Sequence, residues 1–144
     1  MTNARTALTS FYKTENLPAD GNQSSLIDWV TVFGIPMPMI NTESRKRILP
    51  YHDLHHLVTG YGTDEAGEYE LGAWTIATGK GPLLGRLYDG MAATLGLIRY
   101  PRRTVAAYRR GLQSRNLYDH ALQDLLEMDV ATLRTLANVD QATR

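Results

Sequence analysis

The chain has 144 residues, no cysteine and equal numbers of acidic and basic side chains. This length predicts a single domain with enough chain to bury a core. A net charge of zero provides no global field that would favour nucleic acid, and the lack of cysteine excludes disulfides and thiolate metal ligands. No apolar run approaches the ~18 residues that suggest a membrane span, so we expect a cytoplasmic protein with at most peripheral contact at the inner membrane face.

The N-terminal segment is polar. Residues 1 to 23 include Pro18 and Gly21, which favour turns over regular structure. We therefore predict a loose arm over residues 1 to 23, followed by one domain over residues 24 to 140.

A short apolar segment follows the predicted arm. Ser25 and Asp28 match an N-terminal helix cap, and the segment stops at Gly34. Pro36 and Pro38 exclude regular helix from the next stretch. The Met and Pro residues there are expected to pack on the core, although they would also suit an apolar groove.

The rest of the chain is divided by helix-start and helix-stop residues. Predicted helices begin at Pro50, after Thr63, at Pro82 and at Pro101, and two closing helices cover residues 117 to 127 and 130 to 138 behind caps at Asn116 and Asp129. No stretch shows a convincing β-alternation. The predicted fold is all-α, a compact bundle of about five to seven helices.

Histidines are concentrated in the first of these helices. Three of the four histidines in the chain are His52, His55 and His56. His52 and His56 lie one turn apart on the same helical face, and Asp53 lies near the edge of that face. Two imidazoles and a carboxylate form a recognised metal-ligand arrangement. His55 fits a similar arc, so spacing alone leaves open whether Asp53 or His55 joins the pair.

A further ligand is expected from the next helix. Gly60 and Gly62 end the first helix and permit a tight reversal, after which Thr63 begins a capped, acidic turn. Glu68 lies about one turn into the second helix and would face back across a helical hairpin. Geometry alone leaves three other acids as alternatives, namely Asp64, Glu65 and Glu70.

This pattern resembles a known family signature. The spacing His52-Asp53-x-x-His56, eleven residues and then Glu68 resembles that of the Coq-four family of coenzyme Q (ubiquinone) biosynthesis proteins. Downstream similarity is found at Tyr118-Asp119-His120 and at Leu133-Arg134, so the resemblance covers roughly residues 45 to 139. The resemblance selects Asp53 over His55, and Glu68 over its acidic neighbours.

The resemblance implies a chemistry. It implies a helical metal-binding protein that handles a prenyl-tailed aromatic head group, replaces its ring carboxyl by hydroxyl during quinone assembly, and scaffolds other biosynthetic enzymes. The implied ligands are His52, Asp53, His56 and Glu68, which suit zinc first and also Fe(II) or manganese. The metal would bind or polarise the head group, with proton transfer by His55 and Tyr51 beside it.

The chain also departs from the family. Little before residue 45 matches the family's longer N-terminal part, which is expected to carry the lipid-tail contacts. A specialised-metabolite tailoring enzyme is therefore an alternative. It would catalyse an acid–base, ring-forming condensation of the Pictet–Spengler kind between an aromatic amine and a phosphate- or carboxylate-bearing partner. A non-catalytic scaffold is the third reading, and the size of the chain also suits a homodimer.

One stretch is rich in arginine. Between Asp89 and Asp119 there is no acidic residue but there are six arginines. One interpretation is a solvated helix face. The other is an anion site for a phosphate, a carboxylate or a membrane surface, formed by Arg102, Arg103 and Arg109.

Overall fold

The computed structural model describes residues 2 to 140, and in this part of the chain seven helices accompany one antiparallel pair of strands. The elements are α1 (Ala4–Thr14), β1 (Ile27–Val32), β2 (Ile35–Ile40), α2 (Glu43–Thr59), α3 (Glu65–Ala77), α4 (Leu83–Arg99), α5 (Pro101–Leu112), α6 (Leu122–Glu127) and α7 (Val130–Leu136). The prediction of a mostly helical fold is confirmed. The prediction of an all-α fold is wrong, because β1 and β2 form a hairpin.

The hairpin turns through two residues with left-handed backbone. Phe33 has φ 49° and Gly34 has φ 78°, which is the geometry that matches the right-handed twist of paired strands. Pro36 and Pro38 lie opposite Thr31 and Trp29. Counted from the closing pair, both prolines fall at positions whose N–H would point away from β1, so no ladder hydrogen bond is lost. The predicted short helix before Gly34 is therefore replaced by β1.

The N-terminal segment is ordered and belongs to the core. Ala4, Leu8 and Tyr12 recur at steps of four along α1, and each is less than 10% exposed. They pack in one cluster with residues from the later helices. The predicted loose arm over residues 1 to 23 is wrong, because a polar outer face concealed this narrow apolar stripe.

Helix α3 lies at the centre of the bundle. It is buried on most sides, and α4 and α5 both pack closely against it. Glycine permits the crossing with α5, since a Cβ atom at Gly111 would lie 2.4 Å from the carbonyl oxygen of Trp74. In residues 2 to 140, no helix is both long enough and apolar enough to span a membrane.

Helix boundaries follow the predicted caps with two exceptions. The start of α2 is at Glu43, where the Thr42 side chain accepts the N–H of Arg45, so Pro50 lies inside the helix and does not begin it. The penultimate helix begins only at Leu122, because the residues after Asn116 form turns. The predicted cap at Asp129 and the boundary at Tyr100 are confirmed, and the capped turn predicted from Thr63 has Asp64 as its cap.

Candidate functional site

Helix α2 presents two histidines toward the start of α3. His52 and His56 lie one turn apart, and α2 ends at Gly60, whose φ of 79° is left-handed. The N–H of Gly60 donates to the carbonyl of His56. This ending turns the chain sharply back, so the next helix begins beside the histidines.

The start of α3 is held against that turn. Asp64 caps the helix by accepting the N–H of Gly67, at 3.2 Å. A Cβ atom at Gly67 would lie 2.0 Å from the carbonyl oxygen of Gly62, so only glycine allows this approach. As a result, the side chain of Glu68 lies opposite the two imidazoles.

The three side chains converge on one point. The Nε2 atoms of His52 and His56 lie 3.1 Å apart, and each lies 3.1 Å from a carboxylate oxygen of Glu68. Tetrahedral zinc with bonds of 2.0–2.1 Å requires donor atoms about 3.3 Å apart, so these separations fit a metal ion. Among the described residues, these three form the group of acids and histidines close enough to hold one.

A carbonyl fixes the orientation of His56. Its Nδ1 lies 3.0 Å from the carbonyl oxygen of Tyr61 and must donate a proton to it. In the neutral ring Nε2 then carries a lone pair, which faces Glu68 and His52. Electron-rich atoms at this separation repel unless a proton or a cation lies between them. The arrangement therefore requires positive charge at its centre.

The electrostatics are consistent with that requirement. Burial lowers the pKa of His52, but the charge of Glu68 and its hydrogen bond outweigh burial and hold the pKa at about 9. Burial raises the pKa of Glu68, and the two imidazoles more than reverse this, so the carboxyl stays ionised well below its usual range. Without a metal, the pair is a carboxylate and an imidazolium.

Asp53 lies next to this group but has a different partner. It is 7% exposed, and its Oδ2 accepts the hydroxyl of Tyr12 at 2.9 Å. Burial raises the pKa of Asp53, and the neighbouring histidines oppose this rise. Of the four predicted ligands, His52, His56 and Glu68 therefore converge, whereas the carboxylate of Asp53 is hydrogen-bonded to α1. Tyr12 was not predicted as a site residue, because residues 1 to 23 are expected from the sequence to form a loose arm.

The predicted proton-transfer residues face elsewhere. His55 is fully buried, and its Nε2 accepts the backbone N–H of Leu117 at 3.0 Å. Burial, and then the charges of the other two histidines, lower the pKa of His55 to about 3. Tyr51 donates its hydroxyl to the carbonyl of His120. Of the predicted catalytic residues His52, Asp53, His55, His56, Glu68 and Tyr51, the two proposed for proton transfer therefore make contacts with the backbone of the segment after α5.

The predicted anion site is not brought together with the histidines. Arg103 donates two hydrogen bonds to Glu70, of 3.0 and 2.7 Å. Glu70 was one of the alternative acidic ligands, and its carboxylate is engaged by this arginine. Arg102 and Arg109 are exposed on α5. In the part of the chain that the structure describes, none of these three arginines lines the cavity beside Glu68.

That cavity has a volume of about 450 Å³ and lies between α2, α3, α4 and the hairpin. Its walls include the histidine pair, Glu68, apolar side chains and the rings of four aromatic residues, represented by His52, His56, Glu68, Val30, Met39, Leu95, Tyr88 and Tyr118. This volume is sufficient for a small organic ligand.

The hairpin forms one wall of the cavity and is tied at both ends. Asp28 at its base pairs with Arg45 of α2 at 2.8 Å. At its tip, the N–H of Gly34 donates to Glu65 of α3, also at 2.8 Å. The hairpin is therefore anchored to α2 at its base and to α3 at its tip.

One wall residue was missed entirely. Asp89 of α4 is 6% exposed, and burial raises its pKa to about 7. The signal was present in the sequence, since Asp89 shares the inward face of α4 with Gly85 and Gly96. An acid on the buried face of an amphipathic helix indicates a functional or paired role.

Comparisons of the chain with protein-family models, with curated proteins and with solved structures find no match. The resemblance to the Coq-four family therefore depends on the motif residues alone.

Proposed function

We propose that the chain is a metal-dependent biosynthetic protein that acts on the aromatic head group of a quinone precursor, with or without a prenyl tail. The observation that carries this proposal is the convergence of His52, His56 and Glu68 beside a cavity of about 450 Å³. The similarity of the same residues to the Coq-four signature supports the choice of chemistry. That chemistry exchanges a ring carboxyl for hydroxyl, releases carbon dioxide and needs a two-electron oxidant such as dioxygen.

The ligand number supports a site that can bind substrate. Two imidazoles and one carboxylate leave coordination positions open, as in catalytic zinc sites and in the facial triads of Fe(II) oxygenases. Zinc is the first expectation, and Fe(II) or manganese are the alternatives. When bound, the metal would supply a Lewis acid that polarises a substituent of the ring.

The protein side chains contribute binding and orientation. Tyr61 holds His56 through its carbonyl, so the imidazole presents Nε2 to the centre of the group. Tyr88 and Tyr118 offer aromatic surface for a ring, and the hairpin forms one wall of the cavity. Phe11 of α1 stacks on the ring of His56, with centroids 5.9 Å apart, and restricts its motion.

A second candidate is favoured by the acidic cavity wall. A specialised-metabolite enzyme of the same fold would condense an aromatic amine with a carbonyl partner and close a ring, losing water and a ring proton. Asp89 and the coupled pair of His52 and Glu68 supply acid and base groups for proton transfers of this kind.

Metal content tests the first proposal. We expect elemental mass spectrometry of the untagged protein to find close to one equivalent of zinc, Fe(II) or manganese. The double variant His52→Ala, His56→Ala should lose it, and Glu68→Gln should bind it more weakly. His120→Ala is the matched control, because it removes the one histidine of the chain that lies outside the cluster of His52, His55 and His56. Asp53→Asn should retain the metal if three residues are the ligands.

Wild-type protein that stays empty after reconstitution with all three metals would overturn the metal proposal. Turnover then separates an enzyme from a scaffold. In an enzyme, His56→Ala abolishes product formation while far-ultraviolet circular dichroism is unchanged. In a scaffold, the same variant alters only the binding of partner enzymes. Extraction of a copurified prenyl lipid would favour the quinone precursor over an untailed aromatic substrate.

A further inference from the structure

Asp89 differs from the other acids of the cavity wall. It is 6% exposed, and its Oδ2 atom is buried with no hydrogen-bond partner among the described residues. A buried carboxylate without a donor is costly to the folded state. A position that keeps such a group beside a cavity is suited to receive the missing donor from a ligand.

Each of the other six acids of the wall has at least one partner in the protein. Asp28 pairs with Arg45, Asp53 accepts the hydroxyl of Tyr12, Glu68 faces the two histidines, Asp64 caps α3, Glu65 accepts the N–H of Gly34, and Glu15 accepts the hydroxyl of Thr63. None of the donors in these contacts is hydrogen-bonded to Asp89 Oδ2. Within residues 2 to 140, two buried carboxylate oxygens of this wall have no hydrogen-bond partner, Glu65 Oε1 and Asp89 Oδ2. Glu65 Oε1 has the Arg99 guanidinium 3.9 Å away, whereas Asp89 is in no ion pair in this part of the chain.

The charge of the cavity wall indicates which kind of ligand group could bind Asp89. Seven acids line the cavity, against one arginine and two histidines. An incoming carboxylate or phosphate would meet repulsion at Asp89. An ammonium group brings a positive charge and up to three donors, and it makes the stronger, charge-assisted kind of hydrogen bond.

We propose that Asp89 forms an amine subsite, so that the cavity binds an aromatic amine with its ammonium group on the Asp89 carboxylate. This inference deepens the second candidate function and uses the same cavity, but the subsite itself does not require a metal ion. Tyr118 and Tyr88 line the cavity together with Asp89 and provide surface for the ring.

Two probes of the same shape test the subsite. Tyramine and 4-ethylphenol share a ring and a two-carbon chain, and only tyramine carries an amine. We expect isothermal titration calorimetry at neutral pH to show that tyramine binds the wild-type protein about ten- to a hundredfold more tightly. Asp89→Asn should remove most of this preference and leave the affinity for 4-ethylphenol unchanged.

Controls separate the subsite from folding and from the metal. Asp119→Asn is the matched variant, because Asp119 pairs with Lys80 on the surface and does not line the cavity. It should behave as wild type. Each titration is repeated with chelator and with added zinc, and circular dichroism confirms that the variants fold.

The outcomes are distinct. Equal affinity for the two probes, including no binding of either, overturns the subsite, and so does an amine preference that survives in Asp89→Asn. An amine preference in protein that binds no metal would overturn the metal proposal and support the subsite. Metal binding without any amine preference would support the metal proposal and overturn the amine subsite.

Discussion

Replacing Asp89 by asparagine should make the protein more resistant to unfolding as the pH rises. Burial raises the pKa of Asp89 from 3.8 to about 7 in the folded chain, whereas the unfolded chain returns it to the ordinary value. Below both values the carboxyl is protonated in either state and contributes nothing. Between them the folded state must hold a proton that the unfolded state releases, so the carboxyl destabilises the fold increasingly up to about pH 7.

The size of this effect follows from the shift. Each unit of pKa corresponds to about 1.4 kcal/mol, so the full penalty is about 4 kcal/mol once the pH exceeds both values. The asparagine amide has its own cost of burial, but that cost does not change with pH. The difference in unfolding free energy between variant and wild type should therefore grow by about 4 kcal/mol between about pH 4 and about pH 8.

Urea unfolding followed by circular dichroism measures this difference. Both proteins are studied with chelator present, because a bound cation beside the carboxylate would lower its pKa. Asp124→Asn is the matched control, since Asp124 is exposed on α6. Its pH profile should run parallel to that of the wild type. If the pH profile of Asp89→Asn also runs parallel to that of the wild type, the Asp89 carboxylate has a donor or a solvent contact in the folded protein, and the predicted destabilisation is refuted.

Three further predictions concern residues that hold the site in place, and urea unfolding tests each. Tyr12→Phe removes the hydroxyl that Asp53 accepts and should cost about 1–3 kcal/mol; a change below about 0.5 kcal/mol would mean that the hydrogen bond is replaced. Gly111→Ala should cost about 1–3 kcal/mol because its Cβ would meet the α3 backbone, whereas Gly90→Ala, with nothing within 4 Å, should be neutral or stabilising. His55→Leu leaves a buried N–H without an acceptor and should cost about 1–3 kcal/mol at neutral pH. The pKa of His55 falls from 6.5 to about 3 on folding, so protonation of His55 in the unfolded chain destabilises the wild type on acidification and has no counterpart in the variant. The difference in unfolding free energy between the two proteins should therefore shrink by about 3 kcal/mol near pH 4.

Local patterns in the sequence located the convergent group but did not fix all of its members. Helical spacing placed His52 and His56 on one face, and Gly60 with the acidic turn after it located the reversal. The choice of Glu68 over Asp64, Glu65 and Glu70 came from the resemblance to the Coq-four signature. These signals act over a few residues, and the interactions they describe are also local. The pairing of α2 with the start of α3 follows because the connection is too short to allow another arrangement.

Contacts between distant segments were beyond such patterns. Nothing near Asp53 in the sequence shows that Tyr12, 41 positions earlier, supplies its donor. Spacing left Asp53 and His55 as alternatives, and the resemblance to the Coq-four signature then selected Asp53. Asp89 reaches the same cavity from α4, which is also distant in the sequence from the histidines.

The hairpin was missed for a different reason. Alternation of buried and exposed residues reveals a strand only when one face meets the core, and almost all of β2 is exposed. Its two prolines also argue against a central strand, and they are tolerated here because β2 has a free edge. The turn at Phe33 and Gly34 lacks the usual Asn-Gly or Asp-Gly signal.

The folded chain leaves two electrostatic requirements unmet on the wall of one cavity. The atoms of His52, His56 and Glu68 need a positive charge between them, and a proton meets that need when no metal is bound. Asp89 needs a donor, and it can only take up a proton. Because a cation displaces protons from such groups, a metal ion would replace the proton held between His52, His56 and Glu68, and an ammonium group would supply the donor that Asp89 lacks. The buried Asp89 carboxylate lowers the stability of the fold by itself, and the surplus of acid on this wall is expected to favour positively charged ligands.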